Sequence, residues 1–350
     1  MRILHIAVHL GGGIGKAHAA IARELPRGVE QTFLLLEPPI DRRHAHVIAR
    51  RGGRVVVERD PARIRALADQ SDIVQLEYWG HPLLNDYAQF ALVPGVKSVC
   101  WCHVSGLFPP VLPTLPVVER LVVTSNISLP VVPRAIRDRT SVINSGFGFA
   151  GMGLHTRPPR RKALIAYLGT VDFKKLHREI FDAVDALDGG KDDDLTPISL
   201  WGHISPEVAT RAAAMRHPER IKLRGHTLDP GSALAEADIF FYPLRPDHYG
   251  TAENALVEAM SMGLVPVVLD NPAEAQIVAH GKSGFVAHTV DECVSYLRRL
   301  VQAPSLREEM GANAAREAQT KSPARSAEAF VALWAGLIAE RSSMQVKRYA

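Results

Sequence analysis

Cysteine is scarce in this chain of 350 residues. Cys100, Cys102 and Cys293 are too few for a disulfide framework and wrongly spaced for a four-ligand zinc site. Cys100 and Cys102 flank Trp101 in a strand-like stretch, where alternation turns both thiols to one face and core packing accounts for them. No run of 18 uncharged apolar residues occurs, and no charged region followed by an apolar stretch opens the sequence. A spanning helix and a leader peptide are therefore not expected, and the chain reads as cytoplasmic. The Asn126-Ile-Ser128 sequon then carries no glycan. No group of His, Cys, Asp and Glu has metal-ligand spacing, so no metal is expected. The net charge of +4 comes with local clusters at Arg42-Arg43, Arg50-Arg51, Arg134 to Arg139 and Arg157 to Lys162. Such clusters suit an anionic substrate or peripheral contact with an anionic membrane surface, although most are simply solvated faces. No nucleic-acid-binding motif accompanies them.

With 47% apolar and 22% charged residues, the sequence is that of a globular protein long enough for two domains. Ile3 to Val8 is a near-continuous apolar run, as in a parallel strand covered on both faces. A Gly-rich turn and a helix over 14–25 follow. Further strands are expected at 33–36, 55–57, 73–76, 98–102 and 121–124, with helical stretches such as 62–69 between them. The rhythm restarts at Ala163 to Gly169, with a helix over 176–187 and strands at 198–201, 221–223, 239–242, 265–269 and 285–286. Helices over 305–319 and 324–341 close the chain. This βαβ alternation predicts an α/β protein of two Rossmann-like, doubly wound parallel-sheet domains. The Gly-, Pro- and charge-rich stretch between the halves reads as a linker. The expected division is 1–150, a linker at 151–162, 163–322, and a C-terminal helical segment over 323–350.

Four stretches carry candidate chemistry. Gly11-Gly-Gly-Ile-Gly15-Lys16 joins the first strand to a helix, but Lys16 stands where a dinucleotide fingerprint needs glycine, and Leu10 and Ala17 break a P-loop. Gly11 and Gly12 fit a tight βα turn as well as a ligand loop; Gly15 and Lys16 are the better binding candidates. Cys102-His103 ends a strand, where an imidazole can enter a ligand cleft or merely cap a loop. Gly169-Thr170 to Lys175 ends the first strand of the second half. Asp238 to Val268 reads as a buried strand, a loop with Asp247, Tyr249 and Gly250, a helix opening at Glu253-Asn254 and carrying Glu258, and a second buried strand. A strand passing into a helix N-terminus favours anions, because free N–H groups and the helix dipole point at them.

Glu258-Ala-Met-Ser-Met-Gly263 followed by Pro266-Val-Val268 resembles the retaining, nucleotide-sugar-dependent glycosyltransferases of GT-B fold, in the family-4-like group (glycosyl transferases group 1). The resemblance is strong over about 163–318 and looser before. It implies two Rossmann-like domains facing a cleft, a last helix crossing back to the N-terminal domain, and transfer of a hexosyl group from a nucleoside-diphosphate sugar, without a metal or other cofactor. The acceptor is then a glycan, lipid-linked or small-molecule hydroxyl, as in polysaccharide or glycolipid assembly, with the first domain on the acceptor side. By the resemblance Glu258 holds the ribose diol, Lys175 grips the diphosphate and His103 faces the transferred sugar. Gly15, Lys16, Gly169, Tyr249, Gly250 and Asn254 line the donor. The chain departs from the family twice. Gly250 replaces the first acid of the E-x7-E motif, leaving Asp247, preferred for the Tyr249-Gly250 that follows it, or Glu253. Thr170 replaces an arginine, leaving Lys16, Lys174 or Arg245 to supply the missing charge. Those departures imply an atypical branch, and keep a nucleotide-sugar epimerase or a non-catalytic sugar-binding module as alternatives.

Overall fold

Each half of the chain builds one all-parallel sheet. The structure, a computed structural model, describes residues 1–39, 41–90, 96–109, 112, 118–146, 162–187 and 196–349. The linker expected at 151–162 lies, apart from Lys162, outside the described residues.

The first unit comprises Met1–Gly148, Tyr249–Ala252 and Lys321–Ala350. Its strands are β1 (Arg2–Ala7), β2 (Glu30–Leu35), β3 (Arg54–Val57), β4 (Ile73–Tyr78), β5 (Lys97–Cys102), β6 (Arg120–Val123) and β7 (Thr140–Val142), ordered β3-β2-β1-β4-β5-β6-β7. Between them run α1 (Gly12–Glu24), α2 (Arg43–Arg50), α3 (Pro61–Asp69) and α4 (Pro82–Phe90). Pro61 at the first position of α3, after an Asp60 side chain that accepts from Ala62 N, is a strong start signal. Every residue of β4 and β5 is buried. Alternation splits them between two layers. Val74, Leu76, Tyr78, Cys100 and Cys102 face a cluster with Ile64 of α3 and Leu84 of α4. Ile73, Val99 and Trp101 face the other layer.

The second unit comprises Phe149–His248 and Glu253–Thr320. Its strands are β8 (Ile165–Leu168), β9 (Ile198–Trp201), β10 (Ile221–Gly225), β11 (Ile239–Tyr242), β12 (Val265–Leu269) and β13 (Phe285–Ala287), ordered β10-β9-β8-β11-β12-β13. Its helices are α5 (Ile180–Asp185), α6 (Pro206–Ala213), α7 (Pro230–Ala235), α8 (Asn254–Ser261), α9 (Pro272–Ala275), α10 (Val290–Gln302) and α11 (Pro304–Gln319). The last helix, α12 (Pro323–Tyr349), belongs to the first unit, where Phe330, Trp334 and Leu337 pack with Ile3, Ile73 and Trp101.

Both sheets are doubly wound, and strand order reverses between β1 and β4 and again between β8 and β11. Connections leave these neighbours toward opposite faces, so a crevice opens beyond their carboxyl ends. One expected element is corrected. The helix placed at 176–187 begins only at Ile180, because Leu176 forms an antiparallel bridge with Leu244 and the Asp172 side chain accepts from the Lys174 and Lys175 amides at 3.1 Å, closing a turn.

Two glycines let backbone approach backbone at these crevices. A Cβ on Gly15 would lie 1.9 Å from the Leu10 carbonyl oxygen, and one on Gly202 would lie 1.6 Å from that of Gly169. Gly202→Ala should therefore lower stability by about 3 kcal/mol. Gly336→Ala, where α12 leaves open space around the added methyl, should raise it by up to about 1 kcal/mol. Chemical denaturation of the two variants beside the parent checks both signs.

Candidate active site

In the second unit, the loop after β8 and the loop after β11 meet at a buried ion pair. Lys175 Nζ donates to Glu253 Oε2 at 3.1 Å and to Tyr242 Oη at 2.8 Å, and Tyr242 Oη donates to Glu253 Oε2 at 2.6 Å. Glu253 precedes α8 with φ of 41°, the one non-glycine residue with positive φ among the described residues. A left-handed glutamate is held there by its surroundings, and such strain gathers at functional sites. Burial by itself would push the Glu253 carboxyl up, but the charge of Lys175 and then His248 outweigh it and hold the group below its ordinary range. Burial and the nearby Glu253 push the Tyr242 phenol well up.

His248 stands between two buried carboxylates, with Nε2 2.9 Å from Glu274 Oε1 and Nδ1 3.8 Å from Glu253 Oε1. Burial raises the Glu274 carboxyl, so the pair of acids divides into an ionised Glu253 and a more readily protonated Glu274. Ligand atoms of His248, Glu253 and Glu274 lie within 4.8 Å of one another and could hold a metal ion.

The remaining sequence candidates fall into different places. Asn254 opens α8, and Glu258 one turn on is fully buried in a helix whose Leu256, Val257, Ala259 and Met260 are buried too. Asp247 is half exposed and fork-bonded by Arg245 two residues away, which lowers its carboxyl. The two candidates for the first acid are thus separated: Asp247 sits in a local surface pair and Glu253 in the buried one. Arg245 also donates from Nη1 to the Phe173 carbonyl at 3.2 Å, which lays a guanidinium along the loop that carries Lys175. Gly169 sits where a Cβ would crowd Tyr167 Oη at 2.9 Å. Tyr249 and Gly250 group with the first unit, where the Thr251 hydroxyl accepts from Thr124 at 3.1 Å. A cavity of about 370 Å³ at the carboxyl end of β12, lined by His177, Pro246, Asp270, Asn271 and His288 among others, includes none of Lys175, Glu253 and Glu258.

In the first unit, His103 follows β5 and its Nε2 lies 3.1 Å from Glu77 Oε2 on β4. Glu77 is fully buried and also meets His18 Nε2 of α1 at 2.9 Å, His5 Nδ1 of β1 at 2.9 Å and the Gln75 amide at 3.1 Å. Burial pushes this carboxyl up, yet the surrounding imidazoles outweigh it and hold it well below the ordinary range. His5 and His103 are lowered by their own burial, with Glu77 pulling the other way. Gly15 and Lys16 lie in the first turns of α1, which delivers His18 to Glu77; the bare Gly15 lets that helix start against the Leu10 carbonyl. Ligand atoms of His5, His18 and Glu77 also lie within 4.8 Å of one another. His9 accepts from Gly11 N at 3.1 Å, a turn role.

Glu77, His5, His18 and Gln75 were not among the sequence candidates. The signal was present: Ile73-Val-Gln-Leu-Glu-Tyr78 places an amide and a carboxylate two residues apart inside an otherwise apolar strand, where a charge persists only with partners. Tyr242, His248 and Glu274 were not among the candidates either.

Residues 162–303 match the family model of glycosyl transferases group 1. No curated protein matches the chain in sequence. Among solved structures, Anabaena Alr3699/HepE in complex with UDP is similar at TM-score 0.77 and 15% identity, over 96% of this chain and 100% of that one. The same Anabaena protein in complex with UDP-glucose gives 0.75 and 16%, over 98% and 100%. The lipopolysaccharide outer core galactosyltransferase WaaB in its apo form gives 0.68 and 15%, over 94% and 98%. At such identities the likeness establishes the fold, which is GT-B: two parallel-sheet α/β domains.

Removing Lys175 strands a buried carboxylate. Lys175→Met should cost about 3–5 kcal/mol, and Glu253→Gln combined with it should recover much of that loss. Because the folded-state carboxyl is lowered, the cost should be full above the ordinary carboxylate range and fade as pH falls through the Glu253 pKa. Denaturation midpoints of the single and double variants across acidic and neutral pH provide the check.

Proposed function

We propose that the protein is a glycosyltransferase that moves a hexosyl group from a nucleoside-diphosphate sugar to an acceptor hydroxyl, with retention at the anomeric carbon. The observation that carries the reading is the buried Lys175–Glu253 pair at the mouth of β8 and β11, in the stretch that matches the group 1 family. A partly buried lysine at a strand-end crevice is a ready cation for a diphosphate, and a helix start beside it adds aligned N–H groups. Arg245, lying along the same loop, supplies the second positive charge that Thr170 lacks. Glu258 takes the ribose diol by accepting from both hydroxyls. Glu253, rather than Asp247, acts as the displaced first acid and accepts from sugar hydroxyls once Lys175 turns to the diphosphate. With these assignments we read the chain as an atypical relative of the group. The solved relative bound to UDP-glucose makes a uridine donor the first to test.

In the reaction, the bond between the anomeric carbon and the diphosphate oxygen breaks and its electron pair leaves with the nucleoside diphosphate. Lys175 and Arg245 stabilise that charge as it develops. The acceptor oxygen bonds to the anomeric carbon on the face the diphosphate vacates, and its proton passes to the departing phosphate. His103, Lys16, Gly15, Tyr249 and Gly250, all of the first unit, are assigned to sugar or acceptor hydroxyls. No metal or other cofactor takes part in this scheme. The acceptor is a glycan, a lipid-linked sugar or a small hydroxyl compound on the cytoplasmic side, as in polysaccharide or glycolipid assembly.

Incubation with UDP-glucose, UDP-galactose and UDP-N-acetylglucosamine should release UDP, faster with a glycan acceptor present. Lys175→Ala and Glu258→Ala should each slow release by roughly 100- to 1000-fold, while Asp247→Asn should change it by less than about threefold. Interconversion of the donor sugars would instead mark an epimerase. Binding without turnover would mark a sugar-binding module. Unchanged rates in the Lys175 and Glu258 variants would remove the proposed site.

A further inference from the structure

The hydrogen bonds around Glu77 do more than neutralise a buried charge, because they fix which ring nitrogen of His5 and of His103 carries the proton. An ionised carboxylate only accepts, so an imidazole nitrogen that is hydrogen-bonded to Glu77, as those of His5 and His103 are, must turn an N–H toward it. His5 shows the rule in full. Gln31 Nε2 donates to His5 Nε2 at 2.9 Å, so Nδ1 holds the hydrogen and donates to Glu77 Oε1 at 2.9 Å. His18 and His103 both approach Oε2 through Nε2, at 2.9 and 3.1 Å. The carboxylate itself is locked on its other side. Gln75 donates to Oε1 at 3.1 Å, and its own oxygen accepts from Trp334 Nε1 of α12 at 3.0 Å. Ring stacking completes the cage: His5 lies flat on Phe33 at 4.3 Å, and Trp101 contacts the rings of His18 and His103 at 5.2 and 4.4 Å.

We infer that Glu77 is a positioning residue: it holds His103 as the Nε2–H tautomer, leaving Nδ1 as a hydrogen-bond acceptor. His103 therefore recognises a group that brings a proton, such as a sugar or acceptor hydroxyl, and not a phosphate or carboxylate oxygen. Glu77 sits behind the ring and touches no substrate. Its effect passes through the orientation and tautomer of His103, so it belongs to turnover and not to donor affinity. This step rests on the proposed role of His103 in sugar transfer, but the tautomer itself does not.

The test begins without any sugar. Long-range nitrogen–proton correlation spectra of the protein labelled with nitrogen-15 histidine, with signals assigned by single histidine replacements, should show His103 protonated at Nε2 and His5 at Nδ1. Glu77→Gln keeps the shape but offers an amide N–H where an acceptor stood, and should switch the tautomer of His103. With a uridine-sugar donor it should lower kcat about 10- to 100-fold while the donor dissociation constant stays within about twofold of the parent. A parent His103 protonated at Nδ1, or at both nitrogens, overturns the inference whatever the activity. So does a Glu77→Gln protein with unchanged spectra and turnover. Should Glu77→Gln fail to fold, the spectra of the parent decide alone. If the parent tautomers appear as stated and no nucleotide sugar is turned over, the glycosyltransferase reading fails while the Glu77 network stands.

Discussion

A parallel sheet covered on both faces has no solvent to offer a charge, and this constraint shapes both halves of the molecule. Glu77 in β4 and Glu253 before α8 are buried carboxylates that stay ionised. Each does so by collecting cations or N–H donors from several elements at once. Around Glu77 the donors come from β1, α1, β4 and the turn after β5. Around Glu253 they come from the turn after β8, from β11 and from His248. Breaking such a cluster leaves an uncompensated charge in a low dielectric, so the elements that supply the partners are tied to one another more tightly than apolar contacts alone would tie them.

Both clusters sit where strand order reverses, which is where open α/β sheets bind ligands. The two differ in chemistry. The second unit presents a lysine beside a helix start and an arginine bonded to the loop that carries that lysine, cations of the kind that bind a diphosphate. The first presents imidazoles backed by one carboxylate, an arrangement suited to hydroxyl groups.

The fold was legible in the sequence because buried parallel strands are short apolar runs at regular spacing. Ile198–Trp201, Ile239–Tyr242 and Val265–Leu269 fall where their residues placed them. The helix expected from Leu176 was misplaced because its first residues spend their amides on Asp172 and Leu176 on a bridge to Leu244, tertiary partners that no local pattern announces. Short β7 (Thr140–Val142) was missed for want of an apolar run. Of the candidate site, Lys175, His103 and Glu258 were named as candidates from motifs, whereas the choice between Asp247 and Glu253 could not be made from them. Spacing favoured neither strongly, and only burial and the Lys175 contact distinguish them. Glu77 was passed over because the strand expected at 73–76 stops one residue short of it, whereas β4 runs on to Tyr78 and buries it.

The most direct test of the account is a crystal structure with an intact uridine-sugar donor bound. The account predicts diphosphate oxygens within about 3 Å of Lys175 Nζ, with that amine turned from Glu253 and the ribose hydroxyls on Glu258. A nucleotide bound elsewhere, with Lys175 still held by Glu253 and Tyr242, would contradict it.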